Sequence, residues 1–72
     1  TLSQSMSLDE AFDIVYAKIR ESMPDTVLGT MEKEMVQRAL RETGGNQVKA
    51  SSLLGITRAT LRKRIDQYSI RF

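Results

Sequence analysis

GNQVKASSLLGITRATLRKRIDQY, from Gly45 to Tyr68, decides how this chain is read. Ala50, Leu53 and Leu54 give a short apolar helical run, predicted over residues 47–54. The run stops at Gly55, where positive φ is open to a residue without a Cβ. Gly55-Ile56-Thr57 is the turn. Thr57 can cap a second helix, predicted from about Arg58 to Tyr68, with Leu61, Ile65 and Tyr68 pointing inward. Arg58, Arg62, Lys63 and Arg64 stud that helix. Two short helices about a tight glycine turn make a helix-turn-helix.

Upstream, Gly44-Gly45 is a strong helix stop that permits a left-handed cap. The helix it ends carries Val27, Leu28, Met31, Met35, Val36, Ala39 and Leu40 on its apolar face and closes at Thr43. Ser22-Met23-Pro24-Asp25 reads as its start, with proline tolerated in the first turn. Gly29 costs ~1 kcal/mol relative to alanine, so a start at Thr30 is the alternative. A further helix is predicted over residues 8–22. Ser7-Leu8-Asp9-Glu10 forms its capping box, and Leu8, Phe12, Val15, Ile19 and Met23 recur at helical spacing. Ala11, Ile14 and Tyr16 widen that stripe. Residues 1–6 are polar and aperiodic, a frayed end or linker remnant. Residues 69–72 are a short tail. No segment alternates in twos, so the expectation is an all-α chain of four helices.

Seventy-two residues make one domain at most. A core of that size supplies only ~3–5 kcal/mol, which makes oligomerisation an expectation. The chain has no cysteine and no histidine. Disulfides, Cys/His zinc sites, thiol nucleophiles and histidine acid–base chemistry are excluded. No apolar run reaches ~18 residues, so no membrane span and no membrane partner are expected. No signal peptide is visible, and a cytoplasmic, nucleoid-associated location is expected. The chain starts at Thr1 rather than Met and is expected to be a piece of a longer protein. The net charge of +2 divides unevenly. Residues 1–45 hold five basic and eight acidic groups, whereas residues 46–72 hold six basic groups against Asp66 alone. A basic end with an acidic end held apart is the electrostatic plan of a nucleic-acid module. A chance cluster on a solvated helix would show the same charges.

The stretch from Gly44 to Tyr68 closely resembles the Fis-type helix-turn-helix. That domain occurs in the nucleoid protein Fis and at the C-terminus of nitrogen-regulator-like activators that work with the alternative sigma factor. The specific strings are Gly45-Asn46-Gln47, Ala50, Leu54-Gly55-Ile56 and Thr60-Leu61-Arg62-Lys63. Residues 27–43 match in pattern, and the first helix only in being amphipathic. The resemblance implies a homodimer on double-stranded DNA. Its first two helices, within residues 7–43, pair with their symmetry mates, and residues 44–72 form the DNA-reading unit. Leu8, Phe12, Val15, Ile19, Leu28, Met31 and Met35 are the expected dimerisation residues. The two-sided apolar surface of the first helix agrees independently, since a partner helix would cover the second side. Scattered exposed hydrophobes are the bland reading.

Recognition helices point their N-terminal residues at base edges, here Thr57, Arg58 and Thr60. Arg58 is the expected base reader, because a guanidinium can fork onto O6 and N7 of guanine, and the resemblance places a base-contacting arginine there. Arg62 and Lys63 are assigned to phosphates, with Lys63 able to reach the groove. Thr60 can bond a phosphate or press its methyl on a thymine. Asn46, Gln47 and Lys49, at the start of the preceding helix, are expected to grip phosphate. Asn46 can cap its helix as well as grip phosphate, and Thr57 is better read as a helix cap than as a base reader. Arg64 falls on another face, where Asp66 or solvent is its expected partner. Ser51 stands where the motif usually has alanine, and its hydroxyl can bond the i−4 carbonyl. Asp66 and Gln67 stand where lysines are frequent, which lowers the number of phosphate contacts.

The runner-up is a helical dimerisation or protein-interaction domain with an acidic partner. Single-strand RNA readers need stacking platforms, and only Phe12, Tyr16, Tyr68 and Phe72 are aromatic, the inner two read as buried. An enzyme is not expected. Asp9 and Asp13 are better read as a solvated acidic face near a helix N-terminus. No catalytic residue, cofactor or metal is expected. The full-length parent is expected to contact RNA polymerase holoenzyme through other domains.

Overall fold

The computed structural model describes residues 6–72. The expected frayed end therefore lies, Met6 apart, outside the described residues. Four helices follow in order: α1 (Leu8–Ser22), α2 (Val27–Glu42), α3 (Gln47–Leu54) and α4 (Arg58–Gln67). No strand occurs among the described residues, and the all-α, four-helix expectation holds. The chain divides into two compact units, one ending at Thr30 and the other spanning Met31–Phe72.

In the first unit, the Ser7 hydroxyl accepts the Glu10 amide at 3.1 Å and donates to the Glu10 carboxylate at 3.2 Å. Both residues of the capping box are thus engaged, with Glu10 meeting the hydroxyl. Asp9 and Glu10 also place negative charge on the positive end of the helix dipole. α1 ends where the Met23 amide bonds back to Ile19. Pro24 then occupies the second position of a turn closed by Thr26 N–H to the Met23 carbonyl, 3.2 Å. The start expected at Pro24 is displaced to Val27, because proline serves this turn instead. The Thr26 carbonyl accepts the first helical bond of α2, from Thr30 at 2.8 Å. Gly29 lies inside regular helix.

Ala11 is the buried residue of α1. Leu8 is 70% exposed and Phe12 53% exposed, and Ile14, Val15 and Tyr16 are exposed as well. Tyr16, read as buried, stands in solvent, because its own unit offers no surface that covers it.

The second unit holds the core. Val36, Ala39 and Leu40 of α2, Ala50 of α3, Leu61 of α4 and Ile70 of the tail pack together, flanked by Leu54, Ile56, Ile65 and Tyr68. Leu40 and Leu61 are fully buried. Each such side chain contributes ~1.5–3 kcal/mol of burial. Ser51 is buried too, and its hydroxyl donates to the Val48 carbonyl at 2.9 Å, one residue nearer than the expected i−4 partner.

Three similar caps fold this unit back on itself. Gly45 N–H bonds the Leu40 carbonyl at 2.8 Å, Ile56 N–H the Ser51 carbonyl at 3.0 Å, and Ile70 N–H the Ile65 carbonyl at 3.0 Å. Each is the six-to-one bond of a Schellman motif, with Gly44, Gly55 and Ser69 in the left-handed region before it. The last of these turns the short tail inward and buries Ile70, which joins the core.

Candidate nucleic-acid interface

Asn46 and Thr57 set the two helices of the motif. The Asn46 Oδ1 accepts the Lys49 amide at 3.1 Å, which leaves its side-chain NH2 free to donate outward. The Thr57 hydroxyl accepts the Thr60 amide at 3.1 Å and donates to the Thr60 hydroxyl at 3.0 Å. Thr57 is therefore committed to capping, while Thr60 keeps its own hydroxyl hydrogen for an outside acceptor.

α3 and α4 pack on each other. Their junction leaves a groove of about 400 Å³, lined by Gln47, Val48, Arg58, Ala59 and Arg62. Arg58 and Arg62, one helical turn apart, share that wall and are exposed, as is Lys63 beside them. Lys49 is exposed but lines a separate recess with Glu42, Thr43, Ser52 and Leu53. The structure brings together Gln47, Arg58 and Arg62 and sets Lys49 apart. Ion pairs among the described residues engage Arg38 with Glu34 and Arg64 with Glu32. Among the described residues, Arg58, Arg62 and Lys63 form no ion pair, and Lys49 forms none with the Glu42 of its recess.

Arg64 does not use Asp66. Its Nε donates to the Glu32 carboxylate at 2.9 Å, and its Nη1 reaches the Gln67 side-chain oxygen at 3.3 Å. The Tyr68 hydroxyl donates to the other oxygen of the same carboxylate. The hydrogen bonds from Tyr68 and then Arg64 hold the Glu32 carboxyl below its ordinary pKa. The Glu32 carboxylate in turn pushes the Tyr68 phenol up. Sequence reasoning missed Glu32, because a partner 32 residues away leaves no local signal. It also missed Val48 and Ala59. Ala59, a small exposed residue beside Arg58 in the first turn of α4, could have been found from that position.

A helix-turn-helix with a capped, basic second helix defines a nucleic-acid-reading class of domain. Residues 27–68 match the model of the family described as bacterial regulatory protein, Fis family. The chain belongs to that family. It is 37% identical over 75 aligned positions to the DNA-binding transcriptional regulator NtrC of Rhizobium meliloti, covering 97% of this chain and 16% of that protein. It is 39% identical over 46 residues to the DNA-binding protein Fis of Glaesserella parasuis, covering 64% of this chain and 47% of that one. A putative Fis-like DNA-binding protein of Neisseria meningitidis serogroup A is 44% identical over 46 residues, covering 64% of this chain and 58% of that protein. The chain thus spans about a sixth of the NtrC relative and about half of Fis. No solved structure matches it.

Proposed function

We propose that this Fis-type helix-turn-helix domain binds double-stranded DNA sequence-specifically as a homodimer. It places its parent, a bacterial transcriptional activator, at an enhancer or operator. The carrying observation is the groove of α3 and α4, on which Arg58 and Arg62 stand exposed beside Gln47 and form no ion pair among the described residues. Laid in a major groove, α4 presents Arg58 to base edges, and Arg62, Lys63 and the Thr60 hydroxyl to groove walls and phosphates. Asn46, Gln47 and Lys49 grip the backbone at the start of α3. The role is binding rather than catalysis.

The dimer rests on α1 and the start of α2. Leu8, Phe12, Val15 and Leu28 are exposed in the single chain, Leu28 at 83%. A partner copy that covers them supplies the second side of the bundle. Two copies related by a two-fold axis read a roughly palindromic site. The parent works in the cytoplasm and contacts RNA polymerase holoenzyme through domains beyond this chain.

Fluorescence anisotropy with random-sequence duplex at two salt concentrations tests the reading, with Arg58→Ala/Lys63→Ala as control. Binding that weakens steeply with salt, as counterion release requires, and that the double variant loses, supports it. Absence of binding at low salt moves the assignment to a protein-interaction domain.

A further inference from the structure

Glu32 joins two elements that do different work. It sits on α2, and both of its carboxylate oxygens are engaged by α4 and its cap. Arg64 Nε takes one at 2.9 Å and the Tyr68 hydroxyl takes the other. Tyr68 caps α4 and Arg64 lies one turn before it, so the carboxylate holds the C-terminal end of the helix. Leu61 anchors the middle of α4 in the core, and Thr57 fixes its start. Ile65, Tyr68 and Ile70 pack beside Leu61 and seat the helix in the core, but apolar contacts are non-directional and leave its angle softer than its depth. The Glu32 carboxylate adds a directional attachment at that end, which fixes the angle. Arg58 lies at the opposite end of α4 from this clamp, where a small rotation becomes the largest displacement of the guanidinium. The Arg64 guanidinium is turned toward α2, away from the groove lined by Arg58 and Arg62.

We infer that Glu32 is a positioning residue for base reading, acting through Arg64 and Tyr68 to fix the angle of α4, and that Arg64 serves this clamp rather than a phosphate. The inference rests on the DNA-binding reading. It gives the basic residues of α4 separate roles, in which Arg58, Arg62 and Lys63 meet DNA and Arg64 meets Glu32.

The test compares two probes, random-sequence duplex and a duplex selected from a random pool on the wild-type chain. Glu32→Ala, Arg64→Ala and Tyr68→Phe are titrated against both across a salt series. Glu32→Ala and Arg64→Ala are each expected to lose roughly tenfold on the selected duplex, the scale of one misaligned base contact. Binding to random duplex and its salt slope should stay at wild-type values. The Glu32→Ala/Arg64→Ala double variant should lose no more than Glu32→Ala, because that change alone removes both bonds of the clamp. Tyr68→Phe keeps the packing and removes only the hydroxyl. It should show a smaller loss of the same kind, and it carries the test if the alanine variants fail to fold.

A purely stabilising contact would lower the melting temperature and leave the ratio of selected to random binding unchanged, which overturns the inference. A drop in random-duplex affinity and salt slope with Arg64→Ala makes Arg64 a phosphate contact and overturns it too. If the wild-type chain binds neither duplex at low salt, the DNA-binding reading fails and this inference falls with it. If the wild type binds and the variants keep its selectivity, only this inference falls.

Discussion

The ring of Phe72 lies over Gly45, so close that a β-carbon added to the glycine would stand 3.1 Å from Phe72 Cδ2. The last residue of the chain thus returns to the turn that opens the helix-turn-helix. Gly45 also holds φ at +84°, a region that L side chains rarely adopt. Gly44, at φ +62°, has nothing within 4 Å of its added carbon. Gly45→Ala should therefore cost more than Gly44→Ala, and each should lose ~1–2 kcal/mol from backbone strain. Adding Phe72→Ala to Gly45→Ala should recover the crowding part alone. Urea denaturation of the three variants checks this, and equal losses at the two glycines would remove the role of the ring.

Ile70 is the second attachment of the tail. It is 6% exposed in a core with Leu40 and Leu61. Ile70→Ala should cost ~2–5 kcal/mol, the range for a buried large-to-small change, and should leave little of the fold at 37 °C. Phe72→Ala, at a site 58% exposed, should cost far less. A loss under 1 kcal/mol at Ile70 in urea titration would mean that the tail is dispensable.

The contrast shows what could be read in advance. The bounds of α3 and α4 were legible because their signals are local: Asn46, Gly55 and Thr57 act within three or four residues of themselves. Pro24 misled because turn and helix start use the same fixed φ, and only the Met23–Thr26 bond chooses between them. Ile70 was missed because its burial depends on Ser69 taking φ 51°, a conformation uncommon for serine. Of the proposed interface, Arg58 and Arg62 were legible from spacing on one helix. The pairing of Arg64 was not, since it joins residues from two elements.

The proposed dimer has a thermal signature. Folding coupled to association makes the melting temperature rise with protein concentration. Phe12→Asp places a charge at the centre of the exposed stripe of α1, where a partner helix would have to desolvate it. This variant should sediment as a monomer, and its melting temperature should no longer vary with concentration. An unchanged sedimentation coefficient would place the interface elsewhere.

Base reading and backbone gripping should separate by mutation. Arg58→Ala should cost ~1–3 kcal/mol on the selected duplex and relax the base preference. Lys49 stands in its own recess, away from the Arg58–Arg62 groove. Lys49→Ala should weaken selected and random duplex alike and reduce the salt slope by ~1 per copy bound. Anisotropy titration of both duplexes measures each. Equal losses on both duplexes for both variants would dissolve the division of roles.

The Glu32–Tyr68 bond predicts a pH window for stability. The Glu32 carboxyl is held low by its hydrogen bonds from Tyr68 and Arg64. Its contribution is present above the ordinary carboxylate range and is lost as pH falls through the lowered folded value. The Tyr68 phenol is pushed up by the same carboxylate. Its contribution is present below the ordinary phenol range and is lost as pH rises through the raised folded value. The stability difference between wild type and Tyr68→Phe should therefore be flat across neutral pH and shrink at both extremes. Glu32 is 41% exposed, so solvent screening keeps the effect small. Urea titrations at acid, neutral and alkaline pH measure the difference directly. A difference that persists unchanged into acid would show that the hydroxyl stabilises the fold without this carboxylate.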